Sequence, residues 1–155
     1  MTVEGDVVGR DKITQIIESA KPLAPHQLSP PPPDFTGREV ELRELLAAAK
    51  THSIIGLYGL GGVGKTALAL KVAHELASSH PHGQFYLDLH GDTPKSLTRT
   101  EVMLHVVRAY YPEYKQPESA AELRGAYYSV LHEKRPLLLF DNADGITGSV
   151  PVTGR

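Results

Sequence analysis

The chain has no cysteine and no tryptophan, and only two methionines and three phenylalanines in 155 residues. Without cysteine it can form no disulfide, no thiolate nucleophile and no cysteine-ligated zinc site. Neither sign of charge dominates: 16 Lys and Arg stand against 18 Asp and Glu, a net charge of −2. That balance gives no electrostatic reason to expect nucleic acid or an anionic membrane as a direct partner. No apolar run reaches the roughly 20 residues that a bilayer span requires. The N-terminal Met-Thr-Val-Glu-Gly-Asp is acidic and lacks the apolar stretch of a secretory leader. The expected location is therefore the cytoplasm. What remains, 41% hydrophobic and 22% charged residues, supports one compact globular core.

Proline and glycine are plentiful by contrast, and they divide the chain into three zones. Residues 1–20 carry short β-branched runs around Gly9-Arg10-Asp11, a pattern that favours strands joined by a turn but is equally compatible with disorder. Residues 21–34 hold six prolines, four of them consecutive at 30–33, and read as an extended, polyproline-like linker. From Phe35 to Arg155 the periodicity is α/β. A helix is expected over Arg38–Lys50, a buried strand over Ser53–Tyr58 and a helix from Lys65 to about Ser79. A second strand is expected over Gln84–Leu89, then helices from Thr100 and over Ser119–Lys134, a third strand over Leu137–Phe140 and a fourth over Val150–Val152. Strands alternating with helices imply a parallel sheet covered by helices on both faces.

The stretch from Gly59 to Thr66, Gly-Leu-Gly-Gly-Val-Gly-Lys-Thr, fits the template of a phosphate-binding loop. A polyphosphate carries several negative charges, and a glycine-rich turn at a helix N-terminus meets them with backbone N–H groups that side chains would crowd. Gly59, Gly61, Gly62 and Gly64 supply that room, with Val63 and Ala67 completing the loop and its exit. Lys65 reaches the β- and γ-phosphates, and the Thr66 hydroxyl is suited to Mg²⁺. A second metal ligand is expected at the C-terminal end of a neighbouring strand. Asp141, ending Leu137–Phe140, takes that role unless it merely caps the next helix. The loop and Asp141 thus define a P-loop NTPase, with Lys65 and Asp141 as catalytic candidates.

In order along the chain, Phe35-Thr-Gly-Arg-Glu39, the phosphate loop, Gly83-Gln-Phe-Tyr-Leu-Asp-Leu-His-Gly91, Leu137-Leu-Leu-Phe-Asp-Asn-Ala-Asp144 and Val152-Thr-Gly-Arg155 resemble the STAND signal-transduction ATPases of the NB-ARC branch. The resemblance is nearest to the nucleotide-binding domain of bacterial transcription regulators of the antibiotic-regulatory (SARP) type. It implies an ATP/ADP switch ligand bound with Mg²⁺, exchanged rather than rapidly turned over. It also implies that Phe35, Thr36, Gly37 and Arg38 line the adenine and ribose side, and that Arg155 senses the γ-phosphate. The alternative for Arg155 is a solvated terminal residue, because the family carries Thr-Ser-Arg or Thr-Thr-Arg there and a longer stretch after Asp141. The helical and winged-helix domains that follow in the family are expected to be lacking.

Where many relatives have a second acid after the metal-binding aspartate, this chain has Asn142. An amide cannot accept a proton, so hydrolysis is expected to be slow. His80 and His82 flank a proline with His74 nearby, but no third ligand of suitable spacing completes a metal site, so the pair reads as a solvated helix-to-strand loop. The competing function is a remnant or interaction module that retains ADP but does not switch. A small kinase or GTPase is the remoter reading, since no Asn-Lys-x-Asp guanine motif occurs. Finally, Ser53–Tyr58 is expected to lie at an open sheet edge, covered by Asp6–Ile17 of the same chain or engaged in self-association.

Overall fold

A computed structural model describes residues 23–91 and 93–143. Helix α1, Glu39–Ala49, begins with two acids in its first turn, Glu39 and Glu41, which suit the positive end of the helix dipole. Helix α2, Lys65–Leu76, runs into a 3₁₀ turn at Ala77–Ser79. Helix α3, Arg99–Tyr110, opens with a reciprocal cap between Thr98 and Glu101, satisfying two otherwise unpaired backbone donors. Helix α4, Ala120–Lys134, is capped by the Ser119 hydroxyl and ends at Arg135 in a left-handed conformation. Pro136 then prevents its continuation.

Three parallel strands form one sheet: β1 (His26–Gln27), β2 (Gln84–Asp88) and β3 (Leu137–Asp141), in the order β1-β2-β3. The register pairs Phe85 with Leu138 and Leu87 with Phe140, which puts these four on one face. Helices α3 and α4 cover that face: Phe85, Val106 and Tyr127 are fully enclosed, with Val102, Val107, Leu123 and Leu131 around them. The opposite face carries Gln84, Tyr86 and Asp88 beside Leu137, Leu139 and Asp141, and α2 with its 3₁₀ extension lies there. Gln84 donates to the carbonyls of Ala77 and His80, and Thr66 in the first turn of α2 reaches Asp141. The architecture is thus the α/β arrangement expected, a parallel sheet between helices.

One close approach fixes the α3–β2 junction. A Cβ on Gly83 would stand 2.0 Å from Tyr110 Oη, so only glycine leaves room for that hydroxyl to donate to the His82 carbonyl at 2.9 Å.

The segment Ser53–Tyr58, expected as a buried strand, is not one. Ile54 is 62% exposed and Tyr58 93%, and the run belongs to no strand. A strand exists only through its neighbour's hydrogen bonds, and among the described residues none pairs with it. The proline-rich stretch is docked at the other edge. Pro25 accepts from Gln84 N at 2.7 Å, and three histidines hold the segment: His26 donates to Gln84 Oε1, His105 to Gln27 Oε1 and His74 to the Ser29 carbonyl. Residues 1–20, Asp144, Val150–Val152 and Arg155 lie outside the described residues. Among the described residues no helix is long and apolar enough to cross a membrane.

Candidate functional site

The loop between Tyr58 and Lys65 turns on two glycines with positive φ, Gly62 at 78° and Gly64 at 79°, a conformation that side-chain-bearing residues adopt only at a cost. Gly64 is also the residue on which α2 begins, so the turn delivers Lys65 and Thr66 to the helix N-terminus. Lys65 Nζ folds back and donates to the carbonyls of Gly59 and Leu60 at 2.7 and 2.8 Å. Its ammonium is therefore held over the loop. Thr66 Oγ1 donates to Asp141 Oδ2 at 2.8 Å, bringing together the two residues assigned to Mg²⁺ from positions 75 apart in sequence. A hydroxyl and a carboxylate are hard oxygen donors, the kind that Mg²⁺ prefers, so the pair fits that ion.

The Phe35–Arg38 motif meets the loop through its last residue. Arg38 Nη1 donates to the Val63 carbonyl at 2.7 Å, while its Nε pairs with Glu41 at 3.2 Å. Gly37, at φ 82°, is held by its N–H to Glu39 Oε1. Phe35 is half-buried and Thr36 exposed just before this turn; Ala67 is half-buried in the first turn of α2 and Gly59, Gly61 and Val63 are exposed.

Two site residues escaped the sequence reading. Tyr86 donates to Asp141 Oδ2 at 3.0 Å, and its phenol is pushed up to about 12 by burial and then by the adjoining Asp141 carboxylate. It stays a neutral donor at any physiological pH. Asp88, the register partner of Asp141, accepts on Oδ1 from Asn142 Nδ2 at 2.9 Å and from the His90 N–H at 3.0 Å. The Asn142 amide first, and the His90 backbone second, hold this carboxyl below its usual range. His90 and Asn142 both adopt left-handed conformations, φ 49° and 50°, as the segments after β2 and β3 leave the sheet side by side, with Gly91 N donating to the Asn142 carbonyl at 2.8 Å. The available signal was alternation: Gln84, Tyr86 and Asp88 are the polar positions of a period-2 strand, all on one face.

Comparison with known proteins now decides the family. Residues 35–149 match the model of an ATPase domain predominantly from Archaea. The chain belongs to this P-loop ATPase family. As an ATPase domain it is a nucleotide-binding unit, and Mg²⁺ is the metal such domains employ. It is also similar to two curated proteins named regulatory protein AfsR. The one from Streptomyces coelicolor is 40% identical over 132 residues, covering 78% of this chain and 13% of the relative. The one from Streptomyces griseus is 38% identical over 127 residues, again covering 78% of this chain and 13% of the relative. The ATPase domain thus spans about an eighth of the length of these relatives. No solved structure matches it.

Proposed function

We propose that the chain is an adenine-nucleotide switch domain of the STAND, NB-ARC type, binding ATP or ADP and hydrolysing ATP slowly within a regulatory protein. The observation that carries this is the Thr66–Asp141 contact at 2.8 Å, set in the same helix turn as a lysine poised over a glycine loop. In binding, Lys65 exchanges the carbonyls of Gly59 and Leu60 for β- and γ-phosphate oxygens, and the N–H groups opening α2 face the same charge. Thr66 and Asp141 would hold Mg²⁺, which would supply charge neutralisation at the phosphates. Arg38, bonded to Val63, ties the Phe35–Arg38 turn to the loop, so nucleotide occupancy bears on the start of α1. The regulatory role draws on the similarity to the AfsR proteins. Its partners are the nucleotide and other proteins, a second copy included, and neither nucleic acid nor a membrane directly.

Calorimetry with ADP, ATP and GTP, each with and without Mg²⁺, tests this reading. Adenine nucleotides should bind more tightly than GTP, and Mg²⁺ should strengthen ATP more than ADP. Equal binding of GTP would overturn the adenine assignment, and absence of binding by all three would overturn the site.

A further inference from the structure

The Asp141 carboxylate accepts three hydrogen bonds among the described residues. Its Oδ1 takes the Asn142 N–H at 3.0 Å, and its Oδ2 takes both the Thr66 hydroxyl at 2.8 Å and the Tyr86 phenol at 3.0 Å. A carboxylate offers about four lone-pair sites, so these donors orient the group and still leave room for a cation or its water. The three donors are not alike. Asn142 is the next residue along the chain, and its contact comes with the backbone. Thr66 is itself the other oxygen assigned to Mg²⁺. Tyr86 is neither a sequence neighbour nor a metal ligand: it stands 55 residues away on β2, where the register pairs it with Leu139 and fixes its backbone. Its ring is half-buried, which restricts the phenol further. The chemistry of the group also suits the task. A phenol donates a hydrogen bond while carrying no charge at physiological pH. A lysine or arginine in its place would neutralise the carboxylate and repel an arriving cation.

We infer that Tyr86 is a positioning residue for the metal: by donating to Oδ2 it sets the Asp141 carboxylate beside Thr66, so that the two oxygens assigned to Mg²⁺ are arranged before the ion arrives. This rests on the nucleotide reading above. The phenol does not ligate the ion. It acts as the hydrogen-bonded partners of ligating carboxylates do, which fix orientation and are worth about 10–100-fold in metal affinity. Without the phenol, Oδ2 keeps only its bond from Thr66. The aim of Asp141 would then depend on the very residue that is to share the ion with it.

Tyr86→Phe removes the hydroxyl and leaves the ring. Calorimetry would measure ATP binding with and without Mg²⁺, and ADP binding without metal, on the whole chain, on Tyr86→Phe, on Asp141→Ala and on the double variant. The factor by which Mg²⁺ strengthens ATP binding should shrink by about tenfold or more in Tyr86→Phe, or vanish if it is smaller than that. Metal-free ADP affinity should be unchanged, showing that the fold and the phosphate loop persist. In the Asp141→Ala background the further change Tyr86→Phe should cost nothing, because the acceptor has gone, and that non-additivity is what a merely structural tyrosine would not produce. A full Mg²⁺ effect in Tyr86→Phe overturns the inference. So does an equal loss of metal-free ADP affinity, which would make Tyr86 a support of the fold, and so does a Tyr86→Phe cost that persists without Asp141. An unsubstituted chain that binds no nucleotide, or binds ATP equally with and without Mg²⁺, strikes the nucleotide reading itself, and the inference falls with it.

Discussion

The two halves of the molecule are held by different forces. Around β2 the side chains interlock: Phe85 and Val106 are wholly enclosed, and Val102, Val107 and Leu123 nearly so. Around the phosphate loop the apolar side chains face outward, Ile54 at 62% exposure and Leu60 at 82%. There, order comes from a few polar contacts: Arg38 to Val63, Lys65 to Gly59 and Leu60, and Thr66 to Asp141. Apolar burial is non-directional and sums to most of the folding free energy, whereas polar contacts exchangeable with solvent contribute little net stability but precise geometry. The apolar core and the polar contacts of the loop therefore rest on separate sets of residues.

Substitution can test that separation most severely in the core. Phe85→Ala should lower the unfolding free energy by about 3–5 kcal/mol, and Ile54→Ala by no more than about 0.5 kcal/mol. Urea unfolding reads both, and similar costs at the two sites would break the contrast. In the other half, Lys65→Ala removes a charge-assisted contact of about 1.5–3 kcal/mol. ADP affinity should drop by one to two orders of magnitude, with the nucleotide-free urea midpoint unmoved. A weakened fold with unchanged affinity would reverse the assignment.

At the α3–β2 junction, Gly83→Ala drives a methyl group against Tyr110 Oη and should cost about 1–3 kcal/mol, as overpacking does. Adding Tyr110→Phe should recover part of that loss in a double-mutant cycle, and strict additivity would refute the contact as its cause. The smallest effect is a pH dependence. Because the folded Asp88 carboxyl titrates below its unfolded value, its stabilising contribution is complete above an unfolded value of about 3.9. It disappears as pH falls through the lower folded value. Compared with Asp88→Ala at about pH 7 and again at about pH 2, the whole chain should lose its small advantage at the acid end. An advantage that grew toward acid would contradict the direction of the shift.

Much of this arrangement can be read from the sequence, for reasons that differ by element. The helices at 39–49, 65–76, 99–110 and 120–134 carry apolar residues at helical spacing, and the last two are also capped by Thr98 and Ser119, so short-range signals suffice. Strands β2 and β3 are recognisable because their apolar runs are bounded by turn residues. The failure at Ser53–Tyr58 has a plain cause: an apolar run reports what could be buried, not whether a neighbouring strand pairs with it. The docking of His26–Gln27 was hidden by its prolines, which signal a spacer. Proline lacks a donor yet keeps its carbonyl, and at a sheet edge the Pro25 carbonyl is all that Gln84 N requires. In the site, the loop is legible from the spacing of its own residues, and Asp141 from the apolar strand that it ends. Tyr86 and Asp88 matter only through register, which sets Asp88 beside Asp141 across 53 residues of chain, and no local pattern announces that pairing.

Strand β2 is gripped at both tips. At its start the proline segment holds Gln84 through Pro25 and His26; at its end Asp88 holds Asn142, the residue next to Asp141. Four residue steps, from Gln84 to Asp88, separate these grips, about 13 Å of extended backbone at roughly 3.3 Å per residue, and a hydrogen-bonded strand stretches very little. The strand therefore acts as a tie rod. The Pro25 carbonyl and the Asn142 amide thus bear on one and the same run of backbone, and a displacement at either grip would load the other through it.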